Sequence, residues 1–297
     1  MLVLVALLLF CHGVDTIHTS ADGDMRSLLE FKKAMADPHG ALGSWNVSTS
    51  FCQWAGVVCS RTHPRRVTKL DLGMQGLSGA ISPFLGNLTF LRELNLSSNN
   101  LSGKLPPLNH LRKLEVLDLT NNSLHDTIPD AIVNCSMLRL LNLSRNYMVG
   151  EIPAIVGQLS HLKTLELTLN HFTGAIPAVI SNISNIRVVD LSFNRLRGNI
   201  PIALGVLANL EKLLLSGNSI SGAFPMTIFN LSTLEILALD SNMLGMALPT
   251  FWSILPNLLR LFLNDNMFEG PVPPSLANLT EITTLDLSFN NLQGRIP

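Results

Sequence analysis

The sequence returns ten times to a Leu-x-Leu-x-x-Asn pattern, and a chain built this way is limited to a repeat architecture. First positions fall at Leu70, Leu94, Leu117, Leu141, Leu165, Val189, Leu213, Leu237, Leu261 and Leu285, stepping by 24 residues except for one step of 23. Five residues beyond the anchor stands Asn99, Asn122, Asn146, Asn170, Asn194, Asn218, Asn242, Asn266 or Asn290, with Gln75 in the first unit. The pentapeptide DLSFN, at 190–194 and again at 286–290, is therefore one motif met four repeats apart. A glycine follows each asparagine in most units, and an apolar residue with proline follows the glycine, as in Ile296-Pro297. Asp126 and Met246 replace that glycine in two units, with Gly245 displaced by one, which predicts local irregularity there.

Each Leu-x-Leu reads as a short strand with two inward leucines, because side chains alternate faces along a strand. One unit cannot bury its leucines alone, but stacked units share a continuous core. The asparagines turn inward where the strand ends, and their amides are expected to meet backbone groups of adjacent turns as a structural ladder. Glycine permits the tight turn that follows, and proline fixes an extended outer edge.

Composition excludes several functions. A formal net charge of −1 leaves no footprint for nucleic acid or an anionic membrane surface. No His, Cys or carboxylate pair has metal-ligand spacing, so no metal or cofactor is expected. GNSIS around Ser219 fails as a nucleophile elbow, because Asn218 is a ladder residue and Ser221 stands where a glycine is needed. No catalytic constellation remains, and the chain reads as non-enzymatic.

Residues 1–20 read as a signal peptide and leader. The apolar run Leu2 to Phe10 is too short to span a bilayer, and small residues Cys11 and Gly13 place a cut near Gly13. Cys52 and Cys59 lie close together in FCQWAGVVCS, and in an oxidising compartment their pairing is worth roughly 2–3 kcal/mol. Cys135 shares a repeat column with Leu88, Ile183, Leu231 and Leu279 and is read as a buried thiol in a leucine site. Leu28, Leu29, Phe31 and Met35 recur at helical spacing after Asp24, with Asp37-Pro38 ending the run. That helix and the bridged loop form a cap over 21–66, with Trp45 and Trp54 as its apolar weight. Ten repeats occupy 67–297, the last incomplete, which reads as truncation of a longer protein.

The run DMRSLLEFKKAMADPHGALGSWN, then FCQWAGVVCS, HPRRVTKLDL and repeats of the form NxLxGxIP resemble the extracellular part of plant leucine-rich-repeat receptor kinases. In detail they are similar to the branch that includes immune receptors for microbial peptides or proteins. The resemblance implies an α/β solenoid, a right-handed leucine-rich-repeat superhelix of 24-residue plant-type repeats with a concave parallel β-sheet and a disulfide-bridged N-terminal helical cap. It implies a peptide or protein ligand, a leucine-rich-repeat co-receptor, and a place in the secretory pathway, at the outer face of the plasma membrane or in the apoplast. It also implies a membrane span and a Ser/Thr kinase, yet no apolar run after the leader has the length of a transmembrane helix. The alternatives are a secreted inhibitor resembling the polygalacturonase-inhibiting proteins, which normally carry a C-terminal cysteine cap, and a truncated soluble decoy receptor.

Ligand contacts are expected on the solvent face of the strand ladder. Nine gaps of about 4.8 Å give a strip roughly 43 Å long, room for about a dozen extended residues. The residue between the two leucines reads Asp71, Asn95, Asp118, Asn142, Glu166, Asp190, Leu214, Ala238, Phe262, Asp286. Polar residues are the background of that column, so the three consecutive apolar ones stand out. Leu214, Ala238 and Phe262, flanked by Ile236 and rimmed by Lys212, Asp240 and Arg260, predict a contiguous exposed apolar patch and a candidate ligand site. Arg139, Lys163 and Arg187 form a basic column read as a solvated strand edge or a partner for an acidic group. Arg195 and Arg197 fall after the ladder position rather than on the strand face.

Ten glycosylation sequons begin at Asn46, Asn87, Asn95, Asn100, Asn121, Asn134, Asn142, Asn182, Asn230 and Asn278. Asn87, Asn134, Asn182, Asn230 and Asn278 share one column in every second repeat, either a relic of duplication or a row of glycans that keeps one face free. Asn95 and Asn142 lie on the expected ligand face, where glycans would direct contacts to later repeats.

Overall fold

The computed structural model describes residues 21–296. The expected signal peptide and leader lie outside them.

The cap helix α1 spans Ala21–Lys33, with Asp22 and Asp24 in its first turn and Lys32 and Lys33 in its last, which complements the helix dipole. Met35 does not continue the helix as its spacing predicted. It starts a two-residue strand, Met35–Ala36, paired antiparallel with Ser78–Ala80. The physical reason is local competition, since the Asp37 carboxylate accepts hydrogen bonds from the Ala41 and Leu42 amides, both at 2.8 Å, and turns the chain. Gly79 makes the pairing possible, because a Cβ there would lie 2.3 Å from the Ala34 carbonyl oxygen.

Asp24 does more than open the helix. Its buried carboxylate receives Arg66 Nε at 2.9 Å, Arg66 Nη2 at 2.7 Å and the Val67 amide at 2.8 Å, so the cap is clamped to the first repeat strand. Cys52 and Cys59 are disulfide-bonded with their Cα atoms 5.5 Å apart. Trp45 and Trp54 are buried and stack at 5.5 Å, and their indole N–H groups donate to the Ala55 carbonyl and the Thr49 hydroxyl.

Eleven strands form the main sheet. Val57–Cys59 pairs antiparallel with Val67–Asp71. From there Glu93–Asn95, Val116–Asp118, Leu140–Asn142, Thr164–Glu166, Val188–Asp190, Lys212–Leu214, Ile236–Ala238, Arg260–Phe262 and Thr284–Asp286 follow in parallel. Register is residue on residue, Leu70 opposite Leu94, Leu94 opposite Leu117, and so on to Leu261 opposite Leu285. Short 3-10 helices such as Ala154–Gln158 and Ile202–Val206 close the back of the stack. Leucines from both sides meet between them in one continuous core.

The segments after the asparagines hold a second ladder. Strands from Ser78–Ala80 to His171–Thr173 join one sheet, and those from Arg197–Gly198 to Asn291–Gln293 join another. This pairing removes the irregularity expected at Asp126 and Met246. Both keep the left-handed backbone of the glycine column, with φ of 84° and 70°, inside strands Ser123–Asp126 and Met243–Ala247. Neighbouring strands hold a conformation that costs a residue with a side chain about 1–2 kcal/mol.

The asparagine ladder has one geometry throughout. At Asn194, Oδ1 accepts from the Phe172 amide at 3.0 Å, and Nδ2 donates to the carbonyls of Leu167, Leu191 and Ser192 at 3.0–3.1 Å. Gln75 falls outside this pattern; its side chain donates to the Gly73 carbonyl, and Asn99 Oδ1 accepts from the Gln75 and Leu77 amides. Cys135 fills its leucine site without exposure, and burial pushes its thiol up to about 12.

Three outcomes are expected. Asn194→Ala unpairs backbone groups and lowers unfolding free energy by about 1–3 kcal/mol in denaturant titration. Arg66→Met strands a buried carboxylate and costs about 3–5 kcal/mol in the same assay. Cys135 resists iodoacetamide at pH 8 in the folded chain and reacts in denaturant, as mass spectrometry would record.

Candidate ligand-binding face

Strand alternation turns three columns of side chains away from the core. The middle one, between the inward leucines, runs in register from Asp71 through Asp190 to Leu214, Ala238, Phe262 and Asp286. The apolar stretch is contiguous, as its spacing required, but it is not exposed along its length. Ile236 and Ala238 are only 7% and 8% accessible, while Leu214 and Phe262 are half-buried. Ala238 is a single methyl group between two large residues on rungs about 4.8 Å away, so it lies in their shadow. The apolar surface offered to solvent is therefore a pair, Leu214 and Phe262, with Ala238 as the floor between them. Lys212 and Asp240 are half-buried beside it, Arg260 is exposed, and Asp240 accepts a hydrogen bond from the Ser216 hydroxyl.

The polar part of the column divides into satisfied and unsatisfied charges. Lys69 bridges Asp71 at 3.4 Å and Glu93 at 3.0 Å. Glu115 meets Arg92 and Arg139, and Glu211 meets Arg187, so two members of the expected basic column are answered by glutamates of their own column. Among the described residues no Lys or Arg nitrogen lies within 4.0 Å of Asp118, Glu166 or Asp190. They are held instead by neutral donors. Asp118 and Asp190 accept from the Thr120 and Ser192 amides at 3.0 Å, and Glu166 accepts from Asn142 Nδ2 at 2.7 Å. Burial, with the charges of Asp190 and Asp118 next, raises the Glu166 carboxyl above its usual range, and burial does the same to Asp190. The sequence displays these acids as ordinary members of a polar column; the Lys212 charge lowers the Glu166 carboxyl somewhat, and it is the absence of a direct ion pair that sets the three apart.

Two sequons fall on this face. Asn95 Nδ2, the atom a glycan would occupy, donates to Asp71 at 2.9 Å, and Asn142 Nδ2 is the donor to Glu166. Asn134, Asn182, Asn230 and Asn278 sit exposed at the ends of 3-10 helices on the back, with Asn87 half-buried at the same place in Pro83–Asn87. Asn46, Asn100 and Asn121 are exposed elsewhere. Among the described residues no group of three His, Cys, Asp or Glu could hold a metal ion, and no helix is long and apolar enough to cross a membrane.

A repeat of two short strands, tied by side-chain amides beneath an open face, defines a scaffold for presenting surface residues. The chain belongs to the leucine-rich-repeat family. Its residues 21–60 match the leucine-rich-repeat N-terminal domain, and 106–148 and 160–220 match the leucine-rich repeat, as do 90–110, 257–279 and 281–297. It resembles the ectodomains of plant receptor kinases. Receptor kinase-like protein Xa21 of Oryza sativa subsp. japonica is 53% identical over 83 residues, covering 26% of this chain and 8% of that protein. The plant peptide hormone receptor RGFR1, solved in complex with RGF2, is 35% identical with a TM-score of 0.74, over 75% of this chain and 36% of that one. A plant ice-binding protein is 31% identical with a TM-score of 0.83, over 93% of this chain and 89% of that one. The chain thus spans a small part of the receptors it matches. It carries no kinase fold among the described residues.

Folding raises the Glu166 and Asp190 carboxyls, so their ionisation opposes folding as pH rises from the ordinary carboxylate range through the raised values. The double variant Glu166→Gln, Asp190→Asn is expected to melt higher than wild type at pH 7, with the gain vanishing near about pH 3. Thermal melts by circular dichroism at the two pH values measure this.

Proposed function

We propose that this chain is the extracellular ligand-recognition region of a plant receptor kinase, and that it binds an extended peptide on the concave face of the solenoid. The observation that carries the reading is the in-register run Leu214, Ala238, Phe262, an apolar seat edged by Lys212, Asp240 and Arg260 in a middle column that is otherwise polar. A flat ladder of parallel strands offers a long, shallow surface, which suits a polypeptide better than a metabolite that needs a closed pocket. The same fold occurs in an ice-binding protein, so the solenoid alone does not name the function and the face must. The buried disulfide-braced cap supports an oxidising, secretory environment. The leader over 1–20, the cap over 21–66 and the repeats over 67–297 are the organisation that goes with this reading. Signalling through a membrane span and a kinase belongs to the parent receptor.

A random dodecapeptide library displayed on phage and selected on the purified chain tests this. Enriched sequences are expected to lose at least tenfold in recovery on the Leu214→Ala, Phe262→Ala variant, whose melting temperature stays within about 2 °C of wild type because both side chains lie on the surface column. Equal recovery on the variant would move the ligand off this face.

A further inference from the structure

The middle column changes character at one step, from Asp190 to Leu214, and the two sides of that step differ in what they lack. On the acidic side the chain has supplied ion pairs to Asp71, Glu93 and Glu115, whereas among the described residues no Lys or Arg nitrogen lies within 4.0 Å of Asp118, Glu166 or Asp190, and only the more distant Lys212 charge reaches Glu166. Half-buried carboxylates without counterions are costly, and a cation brought by a guest relieves them. A second, independent sign comes from the neighbouring column. Ser144, only 4% accessible, keeps its Oγ without a hydrogen-bond partner, as does Thr120 with its Oγ1, and strand alternation turns both toward the face that carries Asp118 and Asn142. Hydrogen-bonding capacity is thus unspent beside Asp118 and on the next rung, at Asn142, whose amide donates to Glu166.

We infer that this face selects a peptide segment in which two basic side chains are followed, at two-residue spacing, by two apolar ones. The inference rests on the peptide-binding reading above and adds the ligand's chemistry. Its spacing follows from geometry. Asp190 and Phe262 are three rungs apart, about 14 Å, which is about four residues of extended chain. A lysine or arginine over Asp190 then places the residues two and four further on, which share its side of the peptide, over Leu214 and Phe262. The residue two places before it reaches Glu166. Lys212, on the rung after Asp190, lends part of its charge to Glu166 and disfavours a cation shifted onto the apolar half.

The same groups make the contact depend on pH. Glu166 is faced by Asp118, Asn142, Asp190 and Lys212, with Arg139, Lys163 and Arg187 at the starts of the strands. Glu166 and Asp190, raised by burial, lose their charge on acidification, so a basic guest binds more tightly at pH 7 than at pH 5.

The dodecapeptide selection is run on the wild-type chain and on Glu166→Gln, Asp190→Asn, an isosteric pair checked for an intact melt, at pH 7 and pH 5. The expected result is enrichment at pH 7 of sequences with basic residues two apart leading into apolar residues two apart, with recovery at least tenfold lower on the double variant and reduced at pH 5. Enriched peptides without an excess of basic residues, or with equal recovery on the double variant, would overturn the inference and leave peptide binding standing. No enrichment on the wild-type chain would overturn both.

Discussion

One asparagine amide, repeated nine times, ties each turn of this chain to the turn before it. Oδ1 takes an amide proton from 22 residues upstream in the middle repeats, and Nδ2 reaches a carbonyl 27 residues upstream, so every ladder residue bonds across the gap between units. The leucines supply the driving force, but they are interchangeable in shape, as Val189 and Cys135 show by occupying leucine sites. The amide is not interchangeable, because no other short side chain offers a donor pair and an acceptor at that point. Stability in such a stack is close to a sum over neighbours, which confines the effect of a change to the repeats that flank it.

That arrangement frees the outward columns from structural work. Charge balance on the strand edges is local, whereas the centre of the face carries acids met by backbone amides, a serine side chain and an asparagine. Ionised carboxylates in a half-buried row oppose folding, and a stack with so much core can tolerate them. Sites that work against their own scaffold are where binding or chemistry is commonly found. The face therefore has two halves of opposite appetite, one short of cations and one short of cover.

Much of the fold was legible in the sequence. The anchor leucines, the ladder and the buried Cys135 follow from a period that needs no tertiary information. The second ladder was not legible, because its strands are short, rich in glycine and serine, and paired only through neighbours that the same segment creates. Met35 shows the same limit at smaller scale, since its helical spacing was overruled by a strand pairing with Ser78–Ala80 and by the Asp37 turn. On the face, alternation gave the direction of Ile236 and Ala238 but not their burial, which depends on the size of residues one rung away. The raised carboxyls of Glu166 and Asp190 lie still deeper, because burial sets them and no cation comes close enough to pair with either.

The clamp between Asp24 and Arg66 has a consequence for the order in which the chain matures. Its hydrogen bonds close loops of 42 and 43 residues, while the side-chain bonds of the repeats close no more than 27. During synthesis the repeats form contacts with the unit just completed, so their local steps stay equally short however long the array becomes. Helix α1 finds its near partners inside the cap, where Lys32 donates to the Leu42 and Trp45 carbonyls. Its acid waits for Arg66 and the strand at Val67, so the cap is fixed to the stack only when the first repeat strand has been made.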